Sequence, residues 1–92
     1  MASYSNDTIN KVKEIIDKHT KDSLDNYVRD SIKIIAANKI GETASAIDVA
    51  DAVFDYIRDN FTGDTYMALA CKQICPKETL FMLRNEIIAT LK

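Results

Sequence analysis

Tryptophan is absent from this 92-residue chain, histidine and proline occur once each, and glycine and cysteine twice each. Each scarcity removes a class of chemistry. Two isolated glycines, Gly41 and Gly63, cannot build the Gly-rich loop that cradles a phosphate. A structural zinc site takes four nitrogen or sulfur ligands, and one His with two Cys falls short of that set. A Ser or Cys nucleophile relying on a histidine base would have to use His19, whose place on the inner edge of a first helix marks it as a packing residue. No catalytic residue, metal or cofactor is therefore expected. No run of eighteen or more apolar residues is present, and Met1 to Asn10 lacks the basic and apolar regions of a secretory signal. A cytoplasmic protein that does not engage membranes is expected. Cys71 and Cys75, four apart on one predicted helix, are poorly placed for a bridge and read as free thiols serving as small buried hydrophobes.

What is present is helical. A chain this short buries one core and forms one domain over 1–92, and 47% hydrophobic residues with 28% charged ones place it among compact globular proteins. No strand-like alternation of useful length occurs. The expected fold is an all-α bundle of four to five short antiparallel helices, because the polar links between periodic segments are short. Ser5, Asn6 and Asp7 offer N-caps for a first helix with Ile9, Val12, Ile15, Ile16 and His19 inward, and Thr20 to Ser23 break it. A second helix turns Leu24, Tyr27, Val28, Ile32, Ile35 and Ile40 inward, and Gly41 is placed to end it in a left-handed cap. Thr43 or Ser45 starts the third helix, the spacing from Ser45 to Asp48 being that of a short capping box, and Gly63 closes it.

Asp64 or Thr65 caps a fourth helix running to about Ile74, with Met67, Ala70, Cys71 and Ile74 on one side, before Pro76 interrupts it and opens a fifth at its first position. In that last helix Leu80, Phe81, Met82, Leu83, Ile87, Ile88, Ala89 and Leu91 cover most of the circumference, which predicts a central position or a homodimer formed through this C-terminal helix.

The most telling pattern lies in the third helix. Asp48, Asp51, Asp55 and Asp59 recur at steps of three, four and four, so at about 100° per residue they share one face. The opposite face is Ile47, Ala50, Val53, Phe54, Ile57 and Phe61. Like charges four apart cost a helix about 0.2–0.5 kcal/mol per pair, and Arg58 alone is at hand to offset them. Residues 41–65 hold six acidic side chains and one basic, whereas 1–40 hold six and seven, so the negative field is local. A one-sided field of this kind speeds and selects the docking of a basic protein surface. Asp48, Asp51, Asp55 and Asp59 are the expected contacts, with Glu42 and Asp64 at the margins and Tyr56 and Arg58 as anchors. The expected function is a small non-enzymatic protein-interaction module, a regulator or inhibitor working as immunity proteins and phage inhibitors do. A net charge of −2 makes nucleic acid an unfavoured partner.

Two alternative readings attach to other residues. Asp22-Ser23-Leu24-Asp25 resembles the Asp-Ser-Leu site of acyl carrier proteins, and Val49 to Ile57, ending in Asp55-Tyr56-Ile57, is similar to their last helix. That resemblance implies phosphopantetheine attached at Ser23. The chain departs from the family in lacking the long loop before the serine, in carrying Arg29 and Lys33 on the second helix, and in continuing for nearly thirty residues. Read without the resemblance, Asp22 or Ser23 is an N-cap. In the C-terminal half, Ala70, Cys71, Ile74, Pro76 and Phe81 can be laid over the apolar positions of a helix-turn-helix DNA-binding regulator, with Lys77 to Asn85 as the recognition helix. That helix offers Glu78, Thr79 and Met82 to a groove, without the Arg, Gln or Asn that read base edges.

Overall fold

A computed structural model describes residues 4–43 and 45–92, so the first three residues of the polar N-terminal stretch lie outside the described residues. Among those described there are five α-helices and no strand: α1 (Asn6–Thr20), α2 (Asn26–Glu42), α3 (Ala46–Phe61), α4 (Tyr66–Cys71) and α5 (Lys77–Leu91). The four long helices form a ring. α1 packs on α2 and α5, and α3 packs on α2, α5 and the short α4, in a body of 37 × 20 × 19 Å. Neighbours run antiparallel. Asp17 of α1 reaches both Arg29 and Lys33 of α2, and along α3 and α5 Asp51 meets Arg84 while Phe54 meets Phe81.

The helix starts follow side-chain chemistry. Ser5, Asp25, Ser45 and Thr65 each accept a hydrogen bond from the backbone N–H three residues on, satisfying donors that the first turn leaves orphaned. The cap of α2 is thus Asp25, not Asp22 or Ser23. At α3 only half of a capping box forms: Ser45 Oγ takes the Asp48 N–H at 3.3 Å, while the Ser45 N–H donates to Thr43 Oγ1 instead of to Asp48. Pro76 precedes α5 rather than occupying its first turn, and provides no side-chain cap.

Helix ends were harder to read from sequence. Gly41 lies inside α2, which continues to Glu42, so no left-handed glycine ends it. Gly63 does adopt a left-handed φ of 61° just beyond α3. α4 stops at Cys71 because Lys72, with a φ of 55°, turns left and donates its N–H to Ala68 and Leu69; Gln73 then donates to Ala68, closing the last turn. Residues 73–76 leave the helix, and the Cys75 N–H donates to Phe61 O at 2.7 Å. The expected helix to Ile74 is therefore shorter, and its expected inner side is wrong: Ala68 is the buried residue, while Ala70, Cys71 and Ile74 face solvent.

The core is a set of four narrow lines. Val12, Ile15 and Ile16 come from α1; Val28, Ile32, Ala36 and Ile40 from α2; Val49, Ala50, Val53, Ile57 and Phe61 from α3; Leu80, Leu83, Ile87 and Leu91 from α5. In α2 the line recurs every fourth residue, which swings Tyr27 out to 81% exposure instead of inward. In α3 Val49 takes the inward place and leaves Ile47 about a quarter turn away, 52% exposed. α5 touches both α1 and α3, yet Phe81 and Met82 remain outside.

Candidate functional site

Asp48, Asp51, Asp55 and Asp59 do line one side of α3, opposite Val53 and Ile57, which are fully buried. Asp48, Asp55 and Asp59 are exposed, and Asp51 is half-buried at the edge toward α5. Three of the four carboxylates are paired with arginines. Arg84 of α5 donates from Nε to Asp51 Oδ1 at 2.7 Å, and Arg58 pairs with Asp55 at 3.2 Å and Asp59 at 3.0 Å. The hydrogen bond and charge of Asp59, joined by the charge of Asp55, hold the Arg58 guanidinium more firmly protonated than usual. Surface pairs of this kind are screened by water, so they order the side chains more than they stabilise the fold.

Arg58 also lies over the Phe54 ring, 5.8 Å from its centre, and Phe54 packs on Phe81 at 5.3 Å with a tilted geometry. Together with Thr62, Lys77 and Leu80 these side chains enclose a niche of about 200 Å³ on the α3–α5 seam. Beside the acid line there is thus an aromatic contact with a cation on its face, a combination enriched in protein interfaces. Arg84, Phe81 and Lys77 were missed as members of this surface because they stand more than twenty residues from Asp55 in sequence. Only the antiparallel pairing of α3 with α5 brings them together.

Tyr56 is not part of that surface. Its ring meets Phe61 edge-on at 6.0 Å and faces the other flank of α3, where Tyr27, Phe61, Met67, Cys71 and Gln73 share with it a groove of about 460 Å³ between α2, α3 and α4. The structure separates what the sequence grouped: Tyr56 stands on one side, Arg58 and the four carboxylates on the other. Of the marginal acids, Glu42 pairs with Lys39 at 3.9 Å, and Asp64 is exposed in the turn after α3.

The residues behind the other readings sit differently. Ser23 Oγ is buried without a partner of hydrogen-bonding geometry, beside the Cys75 thiol, so this hydroxyl is sealed from a phosphopantetheine transferase. Burial pushes the Cys75 thiol up, opposed by the Ser23 hydroxyl. Cys71 is exposed and Cys75 buried, and both are free, so only one of the two serves as a core hydrophobe. The helix-turn-helix overlay needs Ala70, Cys71, Ile74 and Phe81 locked between two helices, and all four are exposed. His19 is occupied structurally: Nε2 bonds to Glu86 Oε2, and Lys18 Nζ donates to Oε1 of the same carboxylate at 3.1 Å. These two bonds, that of His19 first, hold the Glu86 carboxyl below its usual range.

Among the described residues no group of three or more His, Cys, Asp or Glu side chains is gathered to hold a metal, and no helix is long and apolar enough to cross a membrane. Compared with models of known protein families, with curated proteins and with solved structures, the chain has no significant match to any.

Proposed function

We propose that this chain is a non-enzymatic protein-binding module whose outer α3 face docks onto a basic patch of another protein, as a regulator or inhibitor does. One observation carries the reading: Asp48, Asp51, Asp55 and Asp59 lie side by side and outnumber Arg58, Arg84 and Lys77, the cations that reach this surface among the described residues, so the face keeps a net negative charge. Each ionised carboxylate accepts at up to about four lone-pair positions, so pairing with one guanidinium leaves capacity for lysines and arginines from outside. Phe54 and Phe81 beside the acids supply apolar contact that excludes water, which electrostatic steering alone does not provide.

The test is a side-by-side pull-down from the source cells with the wild type and with the triple variant Asp48→Lys, Asp55→Lys, Asp59→Lys, which leaves the Asp51–Arg84 pair intact. Helical circular dichroism is expected to stay the same. A protein should be retained by the wild type at low salt, eluted as salt rises, and absent with the variant. Retention of the same proteins by both forms removes the proposal.

A further inference from the structure

We infer that a second copy of this chain covers the outward face of α5, antiparallel to it and centred on Asn85. This goes beyond the acid-face reading and uses the outward face of α5, with Phe81, which packs on Phe54, at the border common to both surfaces. Glu78, Phe81, Met82, Asn85, Ala89 and Lys92 follow one another at steps of three, one, three, four and three, and all are exposed, Phe81 by 54% and Met82 by 59%. That is the spacing of a helix seam awaiting another helix.

The occupant follows from the order of residues along the seam. A two-fold axis through Asn85 pairs residues equally distant from it. Glu78 and Lys92, each seven away, then face one another with opposite charge, and neither has an ion pair among the described residues. Phe81 and Ala89, each four away, set a large side chain against a small one, and Met82 falls opposite the half-buried Ile88. Asn85 meets Asn85, a polar pair that fixes register in helix seams. A parallel pairing would place Glu78 against Glu78 and Lys92 against Lys92. The face is therefore complementary to itself in one direction only, which is the signature of an isologous contact.

A single pair of helices about 21 Å long buries less than a standard interface, so the dimer is weak and appears with rising concentration. Sedimentation and light scattering of the full chain up to about 1 mM should show the mean mass climbing toward twice the monomer. Met82→Glu, at an exposed position, should keep its circular dichroism and weaken association by about tenfold or more. Glu78→Lys and Lys92→Glu should each weaken it, and the double charge exchange should restore it. In a Cys71→Ser background, Asn85→Cys should oxidise to a disulfide-linked dimer faster than Asn38→Cys, an exposed position on α2. A wild type that stays monomeric throughout overturns the inference. So does association that Met82→Glu leaves unchanged, since another face then carries it. Charge variants without rescue by the double exchange overturn the register.

Discussion

α3 and α5 grip the core in the same way and meet the solvent in opposite ways. Each buries a continuous line, Val49 to Phe61 on one and Leu80 to Leu91 on the other. Outward, α3 shows carboxylates and α5 shows Phe81, Met82 and Ala89. Inward identity is thus a matter of packing and is equal for the two helices. What differs is the outward side, which adds little to the core, and there the two helices carry the two proposals made above, a basic protein for α3 and a second copy for α5.

The largest effect should show the inward sides to be equivalent. Ile57→Ala and Leu83→Ala, both at fully buried positions, should each destabilise the protein by about 2–5 kcal/mol in thermal or denaturant unfolding. A cost under about 1 kcal/mol at Leu83 but not at Ile57 would break the symmetry and make α5 a loosely held helix. Smaller is the polar tie between them. A double-mutant cycle of Asp51→Ala and Arg84→Ala should give a coupling of about 0.2–1 kcal/mol, since both side chains remain partly exposed. Zero coupling would mean that the acid face is organised by Arg58 alone.

The smallest effect lies on the other flank of α5, where Glu86 joins His19 and Lys18 of α1. Its carboxyl titrates below the ordinary range in the folded protein. The stabilisation from that shift is therefore complete above the unfolded carboxylate's titration, near pH 4, and disappears as pH falls through the lower folded value. Glu86 is 36% exposed and screened, so the difference between wild type and Glu86→Gln should shrink by about 0.5 kcal/mol or less between about pH 6 and pH 2. A difference that grows on acidification would contradict the sign.

The pattern of success in reading the sequence has a physical cause. Apolar period and cap chemistry are local, so the bundle, a start of α3 at Thr43 or Ser45, a cap of α4 at Asp64 or Thr65 and the part of the α3 core line made by Ala50, Val53, Ile57 and Phe61 were legible without coordinates. Tyr27 and Ile47 failed because being apolar near an inward line does not decide which residue takes the inward place; the neighbour across the seam does. α4 ended early through a left-handed residue with a Cβ, Lys72, for which the sequence carries no signal of the kind that glycine gives at Gly63. For the site, the acid stripe was legible as spacing, whereas Arg84 reached it from another helix and Tyr56, one residue after Asp55, rotated to the opposite flank.

The ring of helices also sets an order of assembly. α1, α2 and α3 follow one another through short links, but α1 meets α5 across a separation of 67 residues between His19 and Glu86. Entropy of loop closure grows with the length of chain enclosed, so the three consecutive helices can gather as local hairpins while the seam between first and last waits for all of them. By that argument the seam is the keystone of the fold, set after the others are in place.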